Sequence, residues 1–221
     1  MKNHGCGKFI VFEGGDGVGK TTQAQLLAGA LQDDGKHVLL TREPGGCREA
    51  DALRSAILGD GLDWSPESEV LLHTAARIEH VRKVIDPALR SGEWVVCDRF
   101  SWSTVAYQCA GAGAPTTLVS ALREFVATPF PDLVILIDAA VDVGASRVAS
   151  RSDEMNRYDA MDEGYRGRVR KAFLNLHACS PCYSVVIDGD QPVGKVQQDI
   201  QKAVAEWRGH VDAFKRAVSS C

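Results

Sequence analysis

The segment Gly14-Gly15-Asp16-Gly17-Val18-Gly19-Lys20-Thr21 satisfies the pattern GxxxxGK[ST] in full, and its flanks constrain it further. Before it stands Lys8-Phe9-Ile10-Val11-Phe12-Glu13, an apolar run of strand length. After it, residues 20–31 place apolar side chains at helical spacing until Asp34-Gly35 closes the pattern. Strand, glycine turn and helix in that order predict a phosphate-binding loop. Glycines let the backbone wrap so that its amides point at phosphate oxygens at the positive end of the helix. Lys20 can reach the outer phosphates, and the Thr21 hydroxyl can ligate magnesium. Residues Gly14, Gly15, Asp16, Gly17, Val18, Gly19, Lys20, Thr21 and Thr22 are therefore expected to hold a nucleotide.

The rest of the chain repeats the alternation. Further apolar strands are expected at 37–41, 93–97, 133–137 and 184–187, with helical patterns at 48–58, 67–90, 116–127, 141–150, 161–178 and 193–207. Apolar strands separated by helices predict an α/β fold, a parallel sheet with helices on both faces, because parallel neighbours need crossovers and crossovers bury both sides. At 221 residues the chain has room for a single domain over 1–221 with a substantial core. Hydrophobic residues make up 45% and charged residues 24%. No apolar run nears the roughly 18 residues that cross a bilayer, and the first residues fall short of a secretory signal, so a cytoplasmic location is expected. A net charge of −4 argues against the broad basic face that nucleic-acid binding uses. Neither nucleic acid nor a membrane is an expected partner. Seven cysteines, odd in number and irregular in spacing, read as reduced thiols. Cys179-Ser180-Pro181-Cys182, preceded by His177, lacks the second ligand pair of a zinc site and reads as surface thiols near a turn.

In such a sheet, ligands sit beyond the carboxyl ends of the strands. A guanine-reading Asn-Lys-x-Asp loop is absent from the sequence, and the third strand ends in Asp98-Arg99-Phe100 where a remodelling ATPase would carry an Asp-Glu pair to activate water. Arginine there suits an acceptor that is already anionic. A nucleoside monophosphate is largely ionised at neutral pH and needs neutralisation and alignment rather than a general base.

The segments FEGGDGVGKTTQ, TREPGG, AAR, DRF and STVAYQ, in this order and spacing, make the chain resemble the thymidylate kinases, P-loop enzymes that move the γ-phosphate of ATP to dTMP. The resemblance runs over 8–207, and TREPGG with DRF and the AYQ segment is far more specific than the phosphate loop alone. It implies a five-stranded parallel sheet, a mobile lid, ATP and Mg2+ as cofactors, and a homodimer. Residue by residue, it implies that Arg42, Arg77 and Arg99 bind the acceptor phosphate, their guanidinium forks suiting its oxygens. Asp98 would help hold hydrated magnesium or orient the arginines, and Asp16 would meet the sugar hydroxyl or the metal region. Ser103, Thr104, Tyr107 and Gln108 match the segment that reads base and sugar, Tyr107 crowding out a ribose 2′-hydroxyl. The polar stretch RVASRSDEMNRYD, 147–159, lies where the family has its lid. Gly17 inside the phosphate loop and arginines in the lid match the bacterial-type arrangement, with Arg151 or Arg157 reaching the transferred phosphoryl group. Arg147 aligns with a residue against adenine, and the loop 188–192 with the adenine edge. Residues 208–221 extend beyond the resemblance.

One position departs from the pattern. The helix 67–90 carries Leu71, Ala75, Ile78, Val81 and Ile85 as an apolar stripe, with His73, Arg77 and His80 opposite. His73 stands where the family usually has a phenylalanine stacked on thymine. An imidazole offers less apolar area but adds a donor and an acceptor beside the pyrimidine. The first reading is a dTMP kinase. The alternatives are a kinase for a related deoxynucleotide, such as dUMP or 5-hydroxymethyl-dUMP, and a non-catalytic nucleotide-binding regulator, against which the presence of Lys20, Arg99 and the lid arginines weighs.

Overall fold

A computed structural model describes residues 7–59, 61–126, 128–150 and 157–219. The elements in chain order are β1 (Lys8–Glu13), α1 (Lys20–Asp33), β2 (Val38–Arg42), α2 (Arg48–Leu58) and α3 (Pro66–His80), which runs through a π-helical turn (Val81–Ile85) into α4 (Asp86–Ser91). Next come β3 (Trp94–Asp98), α5 (Ser101–Thr104) continuing into a π-helical stretch (Val105–Gly111), α6 (Thr116–Phe125), β4 (Leu133–Asp138) and α7 (Val141–Ala149). A 3-10 turn (Arg157–Ala160), α8 (Glu163–Ala178), β5 (Ser184–Asp188) and α9 (Val193–Ser219) complete the described order.

The strands form one parallel sheet in the order β2-β3-β1-β4-β5, so β1 and the loop that follows it occupy the centre. Alternation along β1 divides the core. Phe9 and Val11 pack with Val81, Ile85, Leu89 and Phe173 on one face, whereas Ile10 and Phe12 pack with Leu27, Leu31, Ile200 and Val204 on the other. Both faces are thus covered, as the apolar strands require. Phe9 and Phe100 meet edge to face with ring centroids 5.0 Å apart, tying the central strand to the loop after β3.

The strands lie within one residue of their expected bounds. Two helical expectations need correction. The pattern at 67–90 is not one continuous α-helix, because Pro87 lacks the N–H for the ladder and the π-helical turn just before it absorbs the mismatch. Helix α9 runs on to Ser219, past the expected end at 207. There the Arg208 guanidinium bonds Asp34 at 3.0 Å and lies over the Trp94 ring, so the extension is docked at its start. The segment 101–111, to which the sequence pattern assigns no element, is helical, and its π geometry turns the adjacent Tyr107 and Gln108 both inward.

The apolar stripe of α3 is also not its buried side. Arg77 and His80 are buried with Val70 and Ala76, and His73 is half-buried, whereas Leu71 is 49% exposed and Ala75 and Ile78 are half-buried. Only Val81 and Ile85 of the stripe reach the core. Charged groups enter an interior only with partners, and α3 has them.

Candidate functional site

After β1 the backbone takes positive φ at Gly14, Gly17 and Gly19 (140°, 76° and 98°). A Cβ on Gly17 would collide with the Gly144 carbonyl oxygen of α7, and one on Gly14 with the Ile137 carbonyl oxygen, so only glycine permits this wrap. Gly19 caps α1 without a side-chain acceptor, which leaves the first-turn amides for an anion. The Lys20 ammonium is buried and folds back onto the Gly15 carbonyl oxygen. Burial, and next the Arg99 charge, lower its pKa to about 8. The Thr21 hydroxyl donates to Asp98 Oδ2 at 2.5 Å, while Asp98 Oδ1 is buried with no partner among the described residues. A hydroxyl beside a carboxylate with a spare oxygen is the hard-oxygen donor set that would suit Mg2+.

From this loop one cleft of about 970 Å³ extends in both directions. On one side Arg147 donates to the Gly189 carbonyl oxygen at 2.9 Å, beside Gln191, Pro192 and Val193. On the other side Arg99, itself at φ 70°, is the hub. Its guanidinium donates to the Gly14 carbonyl (3.0 Å), Ser103 Oγ (3.0 Å), Asp16 Oδ1 (2.5 Å) and Tyr107 Oη (3.1 Å). Burial works to lower its pKa, but Tyr107, Asp16, Asp98 and Glu13 together raise it, so Arg99 stays a cation. Tyr107 in turn donates to Asp16 Oδ2 at 2.7 Å. Beneath them the buried Glu13 carboxylate accepts from the amides of Phe100 (3.0 Å) and Ser103 (3.2 Å) and from Ser103 Oγ (2.6 Å), fixing the turn that carries Arg99. Burial raises the Glu13 pKa despite these bonds.

Helix α3 and the π-helical stretch close the cleft beyond Arg99. Arg77 Nε donates to Glu43 Oε2 at 2.7 Å, and Nη2 donates to the Phe100 carbonyl and Thr104 Oγ1, both at 3.1 Å. The second Glu43 oxygen lies 3.2 Å from His80 Nδ1, and His80 Nε2 lies 2.7 Å from Thr41 Oγ1. Gly46 packs so closely on His80 that a Cβ would strike the imidazole. Gln108 Nε2 donates to Glu69 Oε2 and to Tyr158 Oη, each at 3.0 Å, and Tyr158 Oη donates to Glu69 Oε2 at 2.7 Å. His73 Nε2 lies 3.5 Å from Tyr158 Oη. Burial, followed by the charges of Arg77, Arg99, Arg157 and Arg54, pushes the His73 pKa down to about 3.

The residues singled out in the sequence largely converge. Asp16, Gly17, Val18, Gly19, Lys20, Thr21, Thr22, Arg42, His73, Arg77, Asp98, Arg99, Ser103, Thr104, Tyr107, Gln108 and Arg147 all line the cleft, with Gly14 and Gly15 at its floor as acceptors for Arg99 and Lys20. Arg157 is not among the residues that line the cleft. Its guanidinium is claimed by the buried Glu69 carboxylate on α3 and lies over the Tyr158 ring. Arg151 lies outside the described residues. Sequence reasoning missed Glu13, Glu43, Glu69, Arg54 and Tyr158. Arg54 enters the cleft from α2, where it bonds the Pro44 carbonyl oxygen at 2.8 Å. Glu69 had a signal: with His73, Arg77 and His80 it stands at i, i+4, i+8 and i+11, one polar face of α3. The CxxC cysteines, Cys179 and Cys182, are exposed free thiols, and among the described residues no cluster of three metal-ligating side chains occurs.

A family model described as thymidylate kinase matches residues 12–200. Curated relatives include a thymidylate kinase of Magnetococcus marinus, 43% identical over 200 residues, covering 90% of this chain and 95% of that one. Another is a thymidylate kinase of Methylococcus capsulatus, 42% identical over 207 residues, with 93% of this chain and 99% of that one covered. Among solved structures, the fold is similar to crystalline thymidylate kinase from Ehrlichia chaffeensis, with a TM-score of 0.72 at 32% identity over 90% of this chain and 98% of that one.

Proposed function

The chain belongs to the thymidylate kinase family, and on that premise we propose that it transfers the γ-phosphate of ATP to dTMP, giving ADP and dTDP, with Mg2+ as cofactor. The observation that carries this reading is the single cleft joining an anion-ready helix terminus to an aromatic, hydrogen-bonding end, with Arg42, Arg54 and Arg99 between them. Two nucleotides fit such a cleft end to end with their phosphates meeting.

In this reading the loop amides from Gly15 to Thr21 and the Lys20 ammonium hold the outer phosphates of ATP, while Arg147 and the 189–192 loop flank its adenine. Thr21 and Asp98 would hold Mg2+, which neutralises charge on the phosphate oxygens. Arg42 and Arg99 neutralise and align the acceptor phosphate, which is already ionised and needs no general base. Arg77 has Nε and Nη2 committed to protein oxygens, which leaves Nη1 for the acceptor nucleotide. Tyr107, held by Asp16 and Arg99, cannot swing away, and so crowds a ribose 2′-hydroxyl. Ser103, Thr104 and Gln108 face the same acceptor.

The proposal extends to assembly and location. The half-exposed stripe Leu71, Ala75 and Ile78 on α3 is apolar surface of the kind that a second copy covers, which supports a homodimer. The free thiols suit the reducing cytoplasm, and among the described residues no helix is long and apolar enough to cross a membrane. Calorimetric titration of dTMP into the wild type and Arg99→Ala tests the acceptor site. Loss of a charge-assisted guanidinium contact should weaken binding by about 10- to 100-fold. Absence of dTMP binding to the wild type at millimolar concentration would overturn the reading.

A further inference from the structure

The buried Glu69 carboxylate fixes the direction of every proton at the far end of the cleft. A carboxylate only accepts, and Glu69 Oε2 lies 2.7 Å from Tyr158 Oη, so the tyrosine spends its one proton there. The other Glu69 oxygen pairs with the Arg157 guanidinium, which anchors the carboxylate in place. Tyr158 Oη is then an acceptor towards its remaining neighbours. It takes one N–H from Gln108 Nε2 at 3.0 Å, and His73 Nε2 approaches at 3.5 Å. A bare Nε2 lone pair would face oxygen lone pairs across that gap. The tautomer that fits carries its proton on Nε2.

Neutrality completes the assignment. Burial and the surrounding guanidinium groups keep His73 unprotonated at physiological pH, so a single proton resides on the ring. With that proton on Nε2, Nδ1 is a bare acceptor on a ring that lines the cleft, and it takes no protein donor among the described residues. Methyl groups cannot use such an acceptor. A hydroxyl on a rotatable C5 carbon can, because rotation about the bond to the pyrimidine lifts it out of the base plane. An exocyclic amino group conjugated with the ring lacks that freedom.

We propose that His73, held as the Nε2–H tautomer by the Glu69–Tyr158 chain, lets this acceptor pocket take 2′-deoxyuridine monophosphates whose C5 substituent carries a hydrogen-bond donor, hydroxymethyl above all, alongside dTMP. This inference deepens the proposed dTMP site and rests on that reading.

The test compares kcat/KM for 5-hydroxymethyl-dUMP and dTMP in the wild type and in His73→Phe, with ATP and magnesium. One neutral hydrogen bond corresponds to about a three- to tenfold effect, so the hydroxymethyl-to-methyl ratio should fall by that factor in the variant. An unchanged ratio overturns the proposal. Imidazole 15N–1H correlation spectra of the full chain give a readout independent of turnover. They should show Nε2 protonated and Nδ1 bare on His73, and the reverse pattern overturns the proposal even if the ratio moves. A wild type that phosphorylates neither monophosphate sinks the kinase reading itself, and the specificity claim with it.

Discussion

At the residue scale the far half of the site rests on three arginines with a carboxylate behind each. Arg77 is supported by Glu43, Arg99 by Asp16 with Glu13 beneath, and Arg157 by Glu69. Each carboxylate fixes an orientation that a lone guanidinium would lose to rotamer entropy. Among the described residues Lys20 has no such carboxylate bonded to it, and burial near Arg99 leaves it with a pKa of about 8. The sign of its effect follows. Below that pKa Lys20 is an ammonium ready for phosphate; above it the free enzyme carries a neutral amine, so kcat/KM for ATP should fall as pH rises through 8 to 9. A pH profile of kcat/KM for ATP measures this, and a flat profile to pH 9.5 would contradict it. Among single residues, the arginines and the phosphate loop were legible because their types are chemically rare in those contexts. Their carboxylate partners were not, since a glutamate in a helix looks solvated until its burial is known.

At the element scale the site depends on close approaches between backbones. Gly17 of the phosphate loop sits against Gly144 at the start of α7, and a Cβ on either would meet the other segment. Gly17→Ala should therefore disturb both the loop and the α7 contact. The positive φ alone costs about 1–3 kcal/mol for a side chain, and the collision adds to it. A lowered urea midpoint and a raised KM for ATP are the expected outcomes; a variant with both unchanged would show that the loop adapts. The strands were read from sequence to within a residue because buried parallel strands are unbroken apolar runs bounded by polar loops. The π-helical character of 81–85, inside the helix expected at 67–90, and the helix at 105–111 are not legible, because a π-helical turn leaves no period of its own in five or seven residues. The orientation of α3 was misjudged for a related reason: apolar spacing marks a stripe but does not say whether sheet, ligand or another subunit covers it.

At the scale of the whole molecule, the order β2-β3-β1-β4-β5 brings the loops after β1, β2 and β3 to one rim, which is why Lys20, Arg42 and Arg99 meet although they are far apart in the chain. The outward stripe on α3 carries the assembly claim. Leu71→Glu should shift the protein from dimer to monomer in sedimentation equilibrium, with little change in the melting of the monomer, because Leu71 is 49% exposed. An unaltered sedimentation mass would remove α3 from the interface. The central claim is phosphoryl transfer across the cleft, and it is most directly tested by incubating the protein and magnesium with γ-32P-labelled ATP and equal concentrations of dTMP, dCMP, dGMP and dAMP. The account predicts label appearing in dTDP ahead of the other diphosphates, and a rate for Arg99→Ala lower by about 10²- to 10³-fold. Label released as inorganic phosphate, or distributed without preference for the thymine nucleotide, would contradict it.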